Sequence, residues 1–354
     1  MKVTKYLFLF FLLLFFPLHV FADSASSTVV MEMDSGRILY MKNPDQKRLI
    51  ASITKIMTCL IVLENSDLDE EVTVGEEVLE MYGTNIYIEV GEKLKVKDLL
   101  YGLMLRSGND AAIALANHVF ESEEKFVEEM NAKAKELGMK HTSFQNPHGL
   151  DEETKNYSTA RDMAILNRYA YQNKTYREIV GTKKYTCKSS LKSYAWYNRM
   201  SLLTNYKYCI GGKNGYTPSA GKTLVTLAQK KGMTLGIVSL NDGNLYENHE
   251  SLYEEYFKKY QLYKIIDKDT FSLDTNFVGS NVYVKKSFQY PLLEEELDDV
   301  STVVEVMNKT NSSTTGRIVV KLEDEEIGNI PIYQRKEKKE TISFFQKIKD
   351  LFVR

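Results

Sequence analysis

Three cysteines in a chain of 354 residues are too few for a disulfide framework. Cys59 lies on an apolar run and reads as a small core residue, while a Cys187–Cys209 bond is left open. The five histidines, His19, His118, His141, His148 and His249, show no metal-ligand spacing, so neither a metal nor another cofactor is expected. His148 stands in a loop and reads as structural. Positive charge is also lacking. The formal net charge is −2 and no basic stripe carries interleaved aromatics, which excludes nucleic acid as a partner.

The apolar block from Leu7 to Phe16 is too short to span a bilayer. Lys2 and Lys5 precede it and the small-residue exit Val20-Phe21-Ala22 follows, so residues 1–22 read as a secretory signal removed after Ala22. That segment holds two lysines and no acid, and its removal takes the formal charge from −2 to −4. About 330 residues remain, enough for one large domain and a small one.

What is present begins with strands. Thr28 to Met33 alternates, Asp34-Ser35-Gly36-Arg37 turns, and Ile38-Leu39-Tyr40 resumes, which is a β-hairpin pattern. A helix is expected from Ser52 to Glu64, with Ile53, Ile56, Met57, Leu60 and Leu63 on one face. Val96 to Leu105 is a second buried helix and Ala111 to Val119 a third, separated by the break Arg106-Ser107-Gly108-Asn109-Asp110. Ser122 and Ser158 are read as caps of two further helices, with Asn146-Pro-His-Gly-Leu150 as a turn between them. Cys209–Thr217, Lys222–Gln229 and Met233–Leu240 read as three consecutive antiparallel strands, and Tyr246 to Tyr263 as a helix lying across their sheet. Helices in the middle and strands at both ends imply an α/β (α+β) sandwich whose antiparallel sheet joins the first hairpin to the last strands.

The domains expected are the main one at 23–263, a small β-rich one at 264–335, and a hinge with an amphipathic helix at 336–354. In that helix Ile342, Phe345, Ile348, Leu351 and Phe352 share a face, with Lys347, Lys349 and Arg354 among the polar positions. This is the pattern of a helix that lies on a membrane surface.

Four Ser-x-x-Lys pairs occur: Ser52/Lys55, Ser122/Lys125, Ser189/Lys192 and Ser219/Lys222. A serine needs a neighbouring base to become a nucleophile, and a desolvated lysine can be that base. Only the first pair is followed by Ser107-Gly108-Asn109 at a break between buried helices and Lys213-Asn214-Gly215 on a strand. Ser-x-x-Lys with Ser-Asp-Asn and Lys-Thr-Gly is the signature of penicillin-binding proteins and class A β-lactamases, and this chain carries Gly108 and Asn214 at the two middle positions.

The chain resembles the low-molecular-weight penicillin-binding proteins, the serine-type D-Ala-D-Ala carboxypeptidases. The match runs through Ala51-Ser-Ile-Thr-Lys-Ile-Met-Thr, Leu105-Arg-Ser-Gly-Asn-Asp-Ala-Ala, Asn146-Pro-His-Gly-Leu-Asp, Gly212-Lys-Asn-Gly-Tyr-Thr and Ala220-Gly-Lys. The resemblance implies a transpeptidase/β-lactamase-like fold. It implies peptidoglycan stem peptides as substrates, β-lactams as inhibitors, and attachment to the outer face of the cytoplasmic membrane by the terminal helix. Ser52 would be the nucleophile and Lys55 its base. Ser107 would relay the proton to the leaving amine, and Asn109 would hold Lys55 and the substrate amide. Lys213 and Thr217 would bind the substrate carboxylate, with Asn214 beside them, and the N–H groups of Ser52 and Tyr216 would form the oxyanion hole.

Two departures stand out. Asn214 replaces the usual threonine of Lys-Thr-Gly, and the arginine many relatives carry after the last strand is missing from Asn241 to His249. The alternatives are an idle wall-binding or scaffold protein on the same fold, favoured by Asn214, and a β-lactamase. The latter needs a deacylating glutamate where Met163 stands.

Overall fold

The computed structural model describes residues 23–273, 282–306 and 314–334. They fall into two compact units divided between Lys258 and Lys259. The expected segments 1–22 and 336–354 lie outside the described residues. Among the described residues no helix is long and apolar enough to cross a membrane.

The first unit is built on a five-stranded antiparallel sheet. Its strands are β1 (Ala25–Glu32), β2 (Ile38–Lys42), β3 (Cys209–Thr217), β4 (Gly221–Lys230) and β5 (Met233–Asp242), in the order β2-β1-β5-β4-β3. The N-terminal hairpin thus joins the three late strands, through β1 against β5 with Val29 opposite Val238. Strand alternation divides the side chains of β4 and β5 between two faces. Val225, Leu227, Val238 and Leu240 enter the main hydrophobic core. Thr226 and Ser239 face the other way and bond to His249, on a helix laid across that side.

At the centre of the core is α1 (Lys55–Asn65), of which every residue from Lys55 to Val62 is buried. The one-sided apolar face expected from its sequence is therefore only part of its burial, since it is enclosed all round. Around it lie α2 (Val96–Tyr101), α3 (Asn109–Phe120), α4 (Glu123–Glu136) and α5 (Ala160–Gln172). Ser122 caps α4 by accepting the Lys125 N–H at 3.2 Å.

Several boundaries differ from the sequence reading. The expected helix from Ser52 begins instead as a single 3-10 turn, Ala51–Thr54, entered through Ala51 at φ 49°. A 3-10 turn eclipses residues i and i+3, which stacks Lys55 over Ser52. The cap of α5 is Thr159, whose side chain accepts from Asp162, while Ser158 pairs with Arg48 in a two-stranded bridge. The last helix of the unit, α6 (Leu245–Lys259), stops before Tyr263. The run Gln-Leu-Tyr-Lys-Ile-Ile alternates and has a strand partner, so it forms β6 (Gln261–Ile266) with Tyr263 opposite Tyr290. All three cysteines are free.

The second unit contains β6 paired with β8 (Phe288–Leu292), and a four-stranded sheet of β7 (Val282–Val284), β9 (Val300–Val306), β10 (Thr314–Leu322) and β11 (Glu325–Gln334). Its small core includes Ile266, Val284, Ile318, Val320, Ile330 and Ile332.

Candidate active site

Ser52, Lys55 and Asn109 meet at the N-terminal end of α1. Lys55 is fully buried, and its Nζ lies 3.2 Å from Ser52 Oγ and 2.7 Å from Asn109 Oδ1, with the His148 carbonyl as a third contact. Burial lowers the Lys55 pKa well below that of a free lysine, nearby Lys213 adds to the effect, and Asp110 opposes it. A neutral amine has two N–H donors and one lone pair. Asn109 Oδ1 and the His148 carbonyl can only accept, so they take the two N–H groups and leave the lone pair for the Ser52 hydroxyl. The arrangement sets a basic lone pair against a hydroxyl hydrogen.

Asn109 reaches this point because the second buried helix ends in a π-turn, Gly102–Arg106, followed by Ser107 in the left-handed conformation at φ 67°. The chain reverses there and α3 starts at Asn109. Asn109 Nδ2 donates to the Tyr82 carbonyl at 2.7 Å, which fixes the orientation of its amide. Beside it, buried Asp110 accepts from the N–H groups of Ile86, Tyr87 and Ile88 and so ties the 82–88 segment to the start of α3. Ser107 sits at the bend and makes no hydrogen bond with Ser52 or Lys55.

The opposite wall is the edge strand β3. A Cβ on Gly215 would lie 2.7 Å from the Ser52 nitrogen, so only a glycine lets this strand come so close to the nucleophile. Lys213 is buried and donates to the Asn214 carbonyl at 2.6 Å. Burial and then the Arg199 guanidinium push its pKa down to about 7. Asn214 and the exposed Tyr216 line a cavity of about 560 Å³ with Lys222, Leu245 and Tyr246. Thr217 departs from expectation. Its Oγ1 donates to Asp151 Oδ2 at 2.6 Å and accepts from the Ala220 N–H at 3.1 Å.

From its sequence the segment Asn146–Leu150 reads as a turn, and His148 as structural. The His148 imidazole is indeed buried, with a pKa lowered to about 3 by burial and by Lys55. Its backbone carbonyl, however, is one of the acceptors for Lys55. Asn146 organises the turn by accepting from the Gly149 N–H at 2.6 Å and donating to the Leu150 carbonyl at 2.9 Å. Sequence reasoning also passed over Arg199 and Tyr246, which lie near Lys213 and Asn214. A backbone acceptor leaves no residue-type signal. The run of hydrogen-bonding side chains around Gly149 was the available hint. Two of the other three Ser-x-x-Lys pairs have local roles: Ser122 is a cap, and Ser189 accepts from Leu191 and Lys192 in a turn. Among the described residues no group of three or more His, Cys, Asp or Glu is gathered for a metal.

The family described as Peptidase_S11, D-alanyl-D-alanine carboxypeptidase, matches residues 19–244. The chain belongs to that family. It is 41% identical over 217 residues to the D-alanyl-D-alanine carboxypeptidase DacF of Bacillus subtilis, a match covering 60% of this chain and 55% of that protein. The chain thus spans little more than half of that relative's length. It is 36% identical over 223 residues to the D-alanyl-D-alanine carboxypeptidase of Streptomyces strain K15, covering 58% of this chain and 76% of that one. In fold it is similar to penicillin binding protein 5 from Haemophilus influenzae, with a TM-score of 0.73, 26% identity, and coverage of 90% of this chain and 98% of that chain. The S11 fold is therefore the frame in which Ser52, Lys55 and Asn109 converge.

Proposed function

We propose that this S11 chain is a serine-type D-Ala-D-Ala carboxypeptidase that removes the terminal D-alanine from peptidoglycan stem pentapeptides. The observation that carries the reading is the Lys55 environment, in which a buried amine has two obligate acceptors and one serine hydroxyl.

Ser52 Oγ attacks the carbonyl carbon of the penultimate D-Ala while Lys55 takes its proton. The oxygen that becomes negative is met by the N–H groups of Ser52 and Tyr216, which act on charge that develops only in the transition state. The C–N bond then breaks, and the proton passes through the Ser107 hydroxyl to the leaving D-Ala amine. Water attacks the acyl-enzyme and gives a proton to Lys55, which passes it to Ser52 Oγ as the ester C–O bond breaks. Asn109 holds Lys55 and presents its second amide hydrogen to the substrate backbone. Lys213 supplies positive potential for the terminal carboxylate, and the Asn214 amide donates to it in place of a hydroxyl. β-Lactams mimic the dipeptide and stall at the acyl-enzyme.

The ends of the chain complete the reading. A signal at 1–22 exports the enzyme, and the amphipathic helix in 336–354 attaches it to the outer face of the cytoplasmic membrane. Truncation at Glu340 tests the tether: the shortened chain should lose vesicle binding, and undiminished binding removes the helix as anchor. For the chemistry, labelled penicillin should form a covalent adduct that Ser52→Ala abolishes, and the wild-type chain should release D-Ala from a pentapeptide ending in D-Ala-D-Ala. Acylation without D-Ala release would leave a penicillin-binding scaffold instead.

A further inference from the structure

We propose that Asp151 and Thr217 form a positioning pair that holds edge strand β3 against the nucleophile turn, and that Thr217 acts through this contact instead of binding the substrate carboxylate. The inference rests on the acyl-enzyme reading above and goes beyond it by giving Asp151 a role.

A threonine hydroxyl has one hydrogen. Thr217 gives it to Asp151 Oδ2 at 2.6 Å, and both residues are 8% exposed. The hydroxyl accepts the Ala220 N–H as well, and its one hydrogen is committed to Asp151. No hydrogen remains for a second carboxylate, and the Asp151 charge beside it would repel one. A hydroxyl-to-carboxylate bond this short belongs to the stronger, charge-assisted class.

The contact closes a ring around the site. Asp151 ends the segment that begins at Asn146, and this segment touches the nucleophile end of α1 repeatedly. The Pro147 carbonyl accepts from Thr58 at 2.5 Å, the His148 carbonyl accepts from Lys55, and a Cβ on Gly149 would lie 2.1 Å from the Ala51 oxygen. On the other wall, Gly215 abuts the Ser52 nitrogen, and Thr223 of β4 donates to the Ile50 carbonyl at 3.0 Å. Thr217 lies two residues beyond Gly215 and one beyond Tyr216. Anchoring Thr217 to Asp151 therefore fixes the Tyr216 N–H relative to Ser52, which are the two groups that must converge on one oxygen. A displacement of about 1 Å in such a pair can lower the rate about a hundredfold.

The test is a progress-curve study of labelled penicillin on the full chain, separating reversible affinity from the acylation rate constant. Thr217→Val and Asp151→Ala should each lower the acylation rate constant about tenfold or more, with the reversible dissociation constant unchanged. The double variant should be no slower than the worse single one, since residues of one contact are not additive. Thr217→Ser and Asp151→Asn should restore acylation, because serine still donates and the asparagine oxygen still accepts. Thr217→Val against Thr217→Ser carries the comparison by itself if Asp151→Ala fails to fold. Weaker reversible binding in Thr217→Val with an unchanged rate constant overturns the proposal and makes Thr217 a direct ligand. Wild-type acylation by Asp151→Ala overturns it too. An unlabelled wild-type chain sinks the acyl-enzyme reading itself, whereas a labelled wild type with indifferent variants sinks this inference alone.

Discussion

The Nζ of Lys55 lies 3.2 Å from the Ser52 hydroxyl, while its other two partners, Asn109 Oδ1 and the His148 carbonyl, can only accept. Lys55→Ala should therefore slow penicillin acylation about a thousandfold, within the range for loss of a general base. Lys55→Arg should not rescue it, because a guanidinium stays charged at any working pH. Acylation time courses check both, and a fast arginine variant would show that charge, not basicity, is what Lys55 contributes.

The two buried lysines have opposite requirements. Lys55 works as the neutral amine, so kcat/KM should rise with pH through its lowered pKa. Lys213 attracts the carboxylate only while protonated, so kcat/KM should fall as pH passes about 7 in the free enzyme. The profile is expected to be bell-shaped. In Lys213→Arg, where the charge persists, the falling limb should move to higher pH. An unmoved limb would assign it to another group.

Asn214 is the departure within the strand motif. Asn214→Leu removes the amide donor and should raise KM for the peptide about tenfold, the effect of losing one hydrogen bond to a charged group. Asn214→Thr should stay near wild type. Equal KM values in all three would take Asn214 out of carboxylate recognition.

Gly149 faces the Ala51 carbonyl at a φ of +89°, and its missing side chain is what allows the approach. Gly149→Ala forces the 146–151 segment away from the nucleophile turn. We expect a loss of acylation of about tenfold or more together with a lower melting temperature. Wild-type behaviour in both measurements would mean the segment can move without disturbing Lys55.

His249 is buried between Thr226 Oγ1 at 2.7 Å and Ser239 Oγ at 2.8 Å, and burial lowers its pKa to about 4. An unfolded histidine takes up a proton near pH 6.5, so between those values the unfolded state binds more protons than the native one. Stability is therefore fully present above about pH 6.5 and declines as pH falls towards 4, by up to about 3 kcal/mol for this one group. Thermal unfolding at pH 7 and pH 4.5 should show the loss, and His249→Gln should reduce it. A pH dependence identical in the variant would point to His148, whose pKa is lowered to about 3.

Much of the molecule was legible in the linear chain because its signals are local. Alternation marked β1, strand-forming runs around the Lys230-Lys231-Gly232 turn marked β4 and β5, and the apolar run after Ser52 marked α1. The Ser-Gly-Asn break between apolar helices marked a bend with polar side chains at a buried position. The boundaries that moved did so where tertiary partners outweighed local pattern. Tyr263 left its expected helix because a strand was available opposite it, and Ser158 yielded the cap to Thr159 because it was already paired with Arg48.

Residue types and their order marked the candidate nucleophile, the candidate base and the amide that accompanies them, since these are side-chain chemistries with a distinctive spacing. Three things were decided only by the tertiary structure. The His148 carbonyl became a partner of Lys55, the Thr217 hydroxyl went to Asp151, and Gly215 and Gly149 became contacts against the nucleophile turn. The first and third involve a backbone group or a missing side chain, and the second joins two side chains 66 residues apart; packing sets all three distances, and chain order carries no mark of them. The i, i+3 spacing made Ser52 and Lys55 neighbours. Burial lowered the Lys55 pKa, which the base role proposed for it requires.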